Sequence, residues 1–151
     1  MRGVPILTGA LLLWVLAACS DPCQSPENEA ILAAAAAEEG AIRTDSGLVF
    51  RLLRPGTGPM PVVSNRVQVH YIGRFVDGTE FDNSYKRSGP SSFPLDRVIP
   101  GWIEGLQMLK GGGKVKLTVP AALAYGKEGK EDSIPPCTVL VFEVELLGIY
   151  D

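Results

Sequence analysis

Histidine is nearly missing from this sequence: His70 stands alone in 151 residues, beside only three cysteines. That histidine and the two cysteines outside the N-terminal leader are too few for a four-ligand metal site, so neither a metal nor any other cofactor is expected. No motif pairs a nucleophile with a base, as covalent catalysis requires. Lys and Arg number 14 against 17 Asp and Glu, the net charge is −3, and no basic stripe forms; nucleic acid is excluded as a partner. No repeat and no shift in composition marks a second folded domain. What remains is room for one globular domain with a real core.

The first nineteen residues are a separate object. Arg2 supplies a positive start, Ile6 to Ala18 is almost wholly apolar, and Leu16-Ala17-Ala18-Cys19 closes the run. The apolar stretch is short for a bilayer span and reads as an export signal. Its closing residues resemble a bacterial lipobox, which implies cleavage after Ala18 and a diacylated Cys19; ordinary cleavage beside an incidental cysteine is the competing reading. Two or three acyl chains would hold the protein on a membrane. Ser20 at the next position resembles an outer-membrane address, with the domain facing the periplasm of a bacterial envelope. Residues 1–18 are thus expected as signal peptide, 19–43 as lipidated tether and short helical arm, and 44–151 as the folded domain. An oxidising periplasm permits a bridge between Cys23 and Cys137. Nothing in the sequence places Cys137 near the tether, so unpaired cysteines are the simpler expectation.

Within the arm, Ser25 caps a helix with Pro26 at its first position, acidic Glu27 and Glu29 in its first turn, and Gly40 at its end. Strands follow at Leu48–Leu53, Arg66–Phe75, Thr79–Asp82, Lys114–Val119 and Thr138–Leu147. In the second, Val67, Val69, Tyr71 and Gly73 share one face while His70 faces solvent on the other. Val98-Ile99-Pro100-Gly101-Trp102 opens the longest domain helix, expected to run to about Lys110 and to stop on Gly111-Gly112-Gly113. Ile99, Ile103, Leu106 and Leu109 recur at helical spacing, which alone reads as core. Lys127 to Pro136 reads as a flexible, charged loop. The sum is an α+β fold, an antiparallel sheet wrapped around one central helix, with a short N-terminal helical arm.

Tyr71, Phe81, Trp102, Tyr125 and Phe142 come from five separated places, all on inner faces or at strand ends. They can form a cup floored by Trp102, and buried tyrosines, which need hydrogen-bond partners, speak for it; on spacing alone an aromatic core is the simpler reading. The segments V-H-Y-I-G-R, D-G-T-E-F-D-N-S-Y, V-I-P-G-W-I-E-G-L, A-Y-G and I-P-P…T-V-L-V-F-E-V-E-L-L, in that order, closely resemble FKBP-type peptidyl-prolyl cis–trans isomerases. S-G-L-V-F-R-L-L-R-P-G-T-G and S-Y-K-R-S-G-P-S-S-F-P-L resemble the bacterial branch related to macrophage infectivity potentiator. The match spans about Thr44 to Leu147.

That resemblance implies a pocket holding a proline side chain over Trp102. Tyr71, Phe81, Tyr125 and Phe142 match its aromatic walls, and Val98, Ile99 and Ile134 its aliphatic ones. Asp82 matches a carboxylate beside the pocket; on its own it could equally serve as an acceptor for loop amides or for Arg87. The implied partners are proline-containing polypeptides and macrolide ligands of the rapamycin type. Three departures stand out: Ser91 where the family often has an aromatic, charges at Lys127, Glu128, Lys130, Glu131 and Asp132, and a two-residue deletion near Asp96-Arg97. A helical dimerisation domain of some bacterial relatives is missing, so a monomer is expected. The leading reading is an isomerase acting on exported proteins; the alternative is a non-catalytic proline-binding or chaperone module tethered to the envelope.

Overall fold

Alternation along one strand decides which helix covers which face of the sheet. The computed structural model describes residues 21–151; the expected signal peptide, the expected lipidation site Cys19, and Ser20 lie outside the described residues. The helices are α1 (Pro26–Ala36) and α2 (Pro100–Gln107). The strands are β1 (Ala41–Arg43), β2 (Val49–Arg54), β3 (Arg66–Phe75), β4 (Glu80–Asn83), β5 (Ser91–Pro94), β6 (Lys114–Val119) and β7 (Leu140–Tyr150). All pairings are antiparallel, in the order β1-β2-β6-β7-β3-β4, with β5 also on β3. β4 takes the Phe75 end of β3 and β5 the Arg66 end. Successive residues of β2 point to opposite faces: Phe50 enters the main core while Val49 meets Leu32 of α1 and Val139. Among the described residues no helix is long and apolar enough to cross a membrane.

α2 lies close against β6 because two of its residues lack side chains. A Cβ on Gly101 would fall 2.5 Å from Cγ1 of Val119, and one on Gly105 2.8 Å from Cδ2 of Leu117. Leu106 and Leu109 are fully buried, whereas Ile99 and Ile103 are only partly covered. The helix stops at Gln107, three residues before the expected Lys110, with Met108 as its cap. The glycines that follow do another job. Gly111 N–H donates to Pro59 O at 2.8 Å, and Gly111 O accepts from Thr57 and Gly58, so this segment must lie backbone to backbone with the turn after β2.

The arm holds the larger surprises. Ser25 caps α1 as expected, its hydroxyl accepting Asn28 N–H at 3.1 Å. The helix ends at Ala36 rather than Gly40, freeing the chain to add β1, which was not expected, to the sheet edge. Cys23 and Cys137 are joined in a disulfide, which corrects the expectation of unpaired cysteines. The small cluster of Leu32, Val49 and Val139 lays the arm on the sheet and brings Cys23 to the root of β7. Asn28 Nδ2 donates to the carbonyls of both cysteines at 2.9 Å, tying the same two segments a second time.

Candidate active site

Pro100 at the first position of α2 lets the helix begin without an N–H to satisfy there. Ile99, the capping residue, accepts Trp102 N–H at 2.9 Å and Ile103 N–H at 3.2 Å through its carbonyl. Its own N–H has no protein partner among the described residues. One residue inside the helix, Trp102 is 4% exposed and floors a pocket of about 550 Å³. Three rings stand edge-on to the indole: Tyr71 at 5.0 Å, Phe142 at 5.4 Å and Phe93 at 6.0 Å between centroids. Edge-on packing suits the quadrupoles of aromatic rings. Trp102 Nε1 is buried without an acceptor among the described residues, a penalty of about 1–3 kcal/mol.

Phe81 meets Phe142 edge-on at 5.6 Å. That contact exists because position 73 of β3, paired with both Asp82 and Phe142, is glycine. A Cβ there would sit 2.6 Å from Phe81 Cζ and 3.0 Å from Phe142 Cε1. On the near wall, the Tyr71 hydroxyl donates to Asp82, and the Arg87 guanidinium pairs with the same carboxylate. Arg87 also donates to the Tyr71 hydroxyl at 3.4 Å and to Ser91 Oγ at 3.0 Å. Both readings of Asp82 therefore hold together: it is Arg87's acceptor and a pocket residue. Burial pushes the Tyr71 hydroxyl above its ordinary pKa, and its bond to Asp82 adds to that.

All the expected wall residues line this one pocket: Tyr71, Phe81, Asp82, Val98, Ile99, Trp102, Tyr125, Ile134 and Phe142. The aromatic thought missing at Ser91 comes instead from Phe93, two residues along β5 and opposite Val67. Ser91 and Phe93 share a face, so strand alternation was the signal available for it. Ser84 was also missed. It is fully buried, accepts Tyr71 N–H at 2.7 Å, and so fixes the backbone that carries the wall tyrosine. His70 does lie on the opposite face from Tyr71, but it is not solvent-facing: Nδ1 is 2.9 Å from Ser84 Oγ and the ring stacks on Tyr85 at 4.3 Å. The 3-10 turn Ser84–Lys86 covers it.

The segment after Tyr125 is likewise not a loose loop. Lys130 and Ile134 exchange backbone hydrogen bonds at 2.8 and 2.9 Å, closing a small hairpin. Gly126 O accepts Cys137 N–H, so the disulfide grips the hairpin at its base. Ile134 is thereby held at 4% exposure against the core. The result is an aromatic-walled cup in which Ile99 N–H and the Tyr125 hydroxyl have no hydrogen-bond partner among the described residues, while Asp82 is engaged by Arg87 and Tyr71.

The family model described as FKBP-type peptidyl-prolyl cis-trans isomerase matches residues 58–147. Among curated proteins, the FKBP-type 22 kDa peptidyl-prolyl cis-trans isomerase of Escherichia coli is 52% identical over 114 residues, 76% of this chain and 55% of that protein. FkpA of Aeromonas hydrophila is 49% identical over 123 residues, covering 82% of this chain and 46% of that one. The chain spans about half the length of these curated relatives. The crystal structure of FkpA from Escherichia coli superposes with a TM-score of 0.79 at 48% identity, over 82% of this chain and 58% of that one. A peptidyl-prolyl cis-trans isomerase from Pseudomonas syringae gives 0.77 at 40% identity, over 83% and 92%.

Proposed function

The chain belongs to the FKBP-type peptidyl-prolyl cis-trans isomerase family, and from that membership we propose that its pocket accelerates rotation about X–Pro bonds of polypeptides. The observation that carries the proposal is the indole floor ringed edge-on by Tyr71, Phe93 and Phe142.

Rotation about a peptide bond costs about 18–20 kcal/mol because amide resonance is lost midway. The cis and trans forms of X–Pro are nearly balanced, so a catalyst has only to lower the barrier. The planar amide carries more charge on its oxygen than the twisted one, and water stabilises that charge. An apolar cup removes the water and so raises the planar form relative to the twisted one. Walls complementary to the twisted form add differential binding. Ile99 N–H and the Tyr125 hydroxyl are placed to take substrate carbonyls and hold the segment across the cup. An acceleration of ten-thousand-fold needs about 5–6 kcal/mol, shared among several walls. No bond is made or broken, so no acid, base or nucleophile is called for. Macrolides that present a pipecolyl or prolyl-like ring would compete for the same cup.

We also propose that the protein is exported and tethered through lipidated Cys19, with the domain in the periplasm. The leader pattern supports this, and the Cys23–Cys137 disulfide fits an oxidising compartment. Metabolic labelling with a radioactive fatty acid should mark the wild type and not Cys19→Ser; equal labelling of both would remove the anchor.

The isomerase proposal is tested by magnetisation exchange on a short X–Pro peptide. Wild type should speed exchange well above the peptide alone. Tyr125→Phe and Asp82→Ala should lower it about ten-fold, the loss expected from one hydrogen bond of about 1–1.5 kcal/mol. Binding without acceleration would favour the alternative, a proline-binding or chaperone module. Full activity in both variants would refute the site assignment.

A further inference from the structure

The mouth of the pocket is charged unequally. Asp82 is the single carboxylate lining it, and Arg87 already neutralises it. Two cations line it as well: Arg97, on the 3-10 turn Leu95–Arg97 just before Ile99, and Lys130 on the hairpin. Neither has a carboxylate within 4.0 Å among the described residues. Asp96, next to Arg97 in the chain, does not line the pocket.

Of its charges, the hairpin brings only the cation to the pocket. Lys130 and Ser133 reach the pocket, and Lys130 Nζ lies 5.7 Å from the centre of the Tyr125 ring. Glu128, Glu131 and Asp132 do not line the pocket; they line an outer groove beside Pro135 and Pro136, which Lys130 and Ser133 also border. The paired backbone bonds of Lys130 and Ile134 close the turn, with Asp132 at φ 59° between them. A chain of net charge −3 thus presents, at the entrance to the pocket floored by Trp102, two positive charges with no carboxylate within 4.0 Å among the described residues.

Resting on the isomerase reading of the same pocket, we infer that Arg97 and Lys130 make it select X–Pro segments with Asp or Glu next to the proline. A peptide seated over Trp102 must pass its flanking residues across this rim. Apolar walls on one side of the charges strengthen their field at the mouth, while salt screens it from solvent. An acidic neighbour is drawn in and a basic one repelled. The two effects together should give about a five-fold ratio in kcat/KM, the scale of partly exposed charge pairs.

The test compares kcat/KM for peptides carrying Glu, Leu or Lys immediately before the proline, and a second set with the same residues immediately after it, at 20 mM and 1 M NaCl. In at least one set Glu should exceed Lys by about five-fold at low salt, with the ratio approaching one at high salt. In the Arg97→Glu, Lys130→Glu double variant the ratio should invert; both side chains are exposed, and circular dichroism checks the fold. The ratio is internal to each protein, so a general loss of activity does not mimic the effect. Glu and Lys peptides turned over equally in both sets, or a ratio that ignores the charge reversal, would overturn this inference and leave the isomerase intact. No acceleration of any peptide would overturn the isomerase reading itself, and this inference with it.

Discussion

At the scale of single residues, the pocket depends on an atom that is not there. Gly73 leaves room for the rings of Phe81 and Phe142 to meet, and a methyl group at that position would collide with both. Gly73→Ala should therefore lose about 1–3 kcal/mol by overpacking. Its isomerisation should fall by ten-fold or more, because the rings displaced are pocket walls. Urea unfolding and exchange rates measured on the same sample would check this; wild-type activity in the variant would show that the ring contact does not shape the site. Ser84→Ala should lose about 1–3 kcal/mol, since the buried Tyr71 amide would lack its acceptor. The wall residues were legible in the sequence because each sits inside a family motif. Phe93 was not, because the expected position for an aromatic was Ser91 and a one-strand alignment does not reveal which of two same-face residues reaches the pocket. His70 was misjudged for a related reason: alternation gave its face, but the turn that covers it, Ser84–Lys86, has no periodic pattern.

At the scale of elements, the strands with half-buried alternation, β3 and β6, begin and end where the sequence places them. α1 and α2 both end early, and in each case backbone pairing elsewhere takes the chain: β1 at the sheet edge, and Gly111 against Pro59. Propensity carries no information about such competitors. A three-residue strand is too short to show a period, and a disulfide between positions 114 apart leaves no local trace. That disulfide closes a long loop and ties the arm to the base of the Ile134 hairpin. Replacing both cysteines by serine should lower stability by about 2–5 kcal/mol, read by urea unfolding. It should also raise amide exchange at Ile134 and Cys137 more than in β3. Uniform exchange across the sheet would mean that the bridge stabilises the fold without steadying the pocket wall.

For the whole molecule, stability should form a plateau bounded below by carboxylates, Glu145 among them, and above by the tyrosines Tyr71 and Tyr85. The Arg54 guanidinium holds the Glu145 carboxyl below its ordinary value of 4.5, a bond from Tyr85 adding to it. A depressed carboxylate contributes stability present above that ordinary value and lost as pH falls through the lowered one. Burial raises Tyr71 above its ordinary 10.0, so its contribution is complete below that value and disappears as pH rises past it. Urea midpoints should thus be level between about pH 5 and 9 and fall on both sides, with Glu145→Gln softening the acid limb and Tyr71→Phe the alkaline one. The acid limb surviving unchanged in Glu145→Gln would assign it to other carboxylates. Catalysis should stay level across the plateau, because the pocket is proposed to act by enclosing an amide and favouring its twisted form, moving no proton. The most direct test of that claim is the solvent deuterium isotope effect on catalysed X–Pro exchange at pH 7. A ratio near one, on a rate well above the peptide alone, is the predicted result; a ratio of about two or more, the size expected when a proton moves in the transition state, would contradict it.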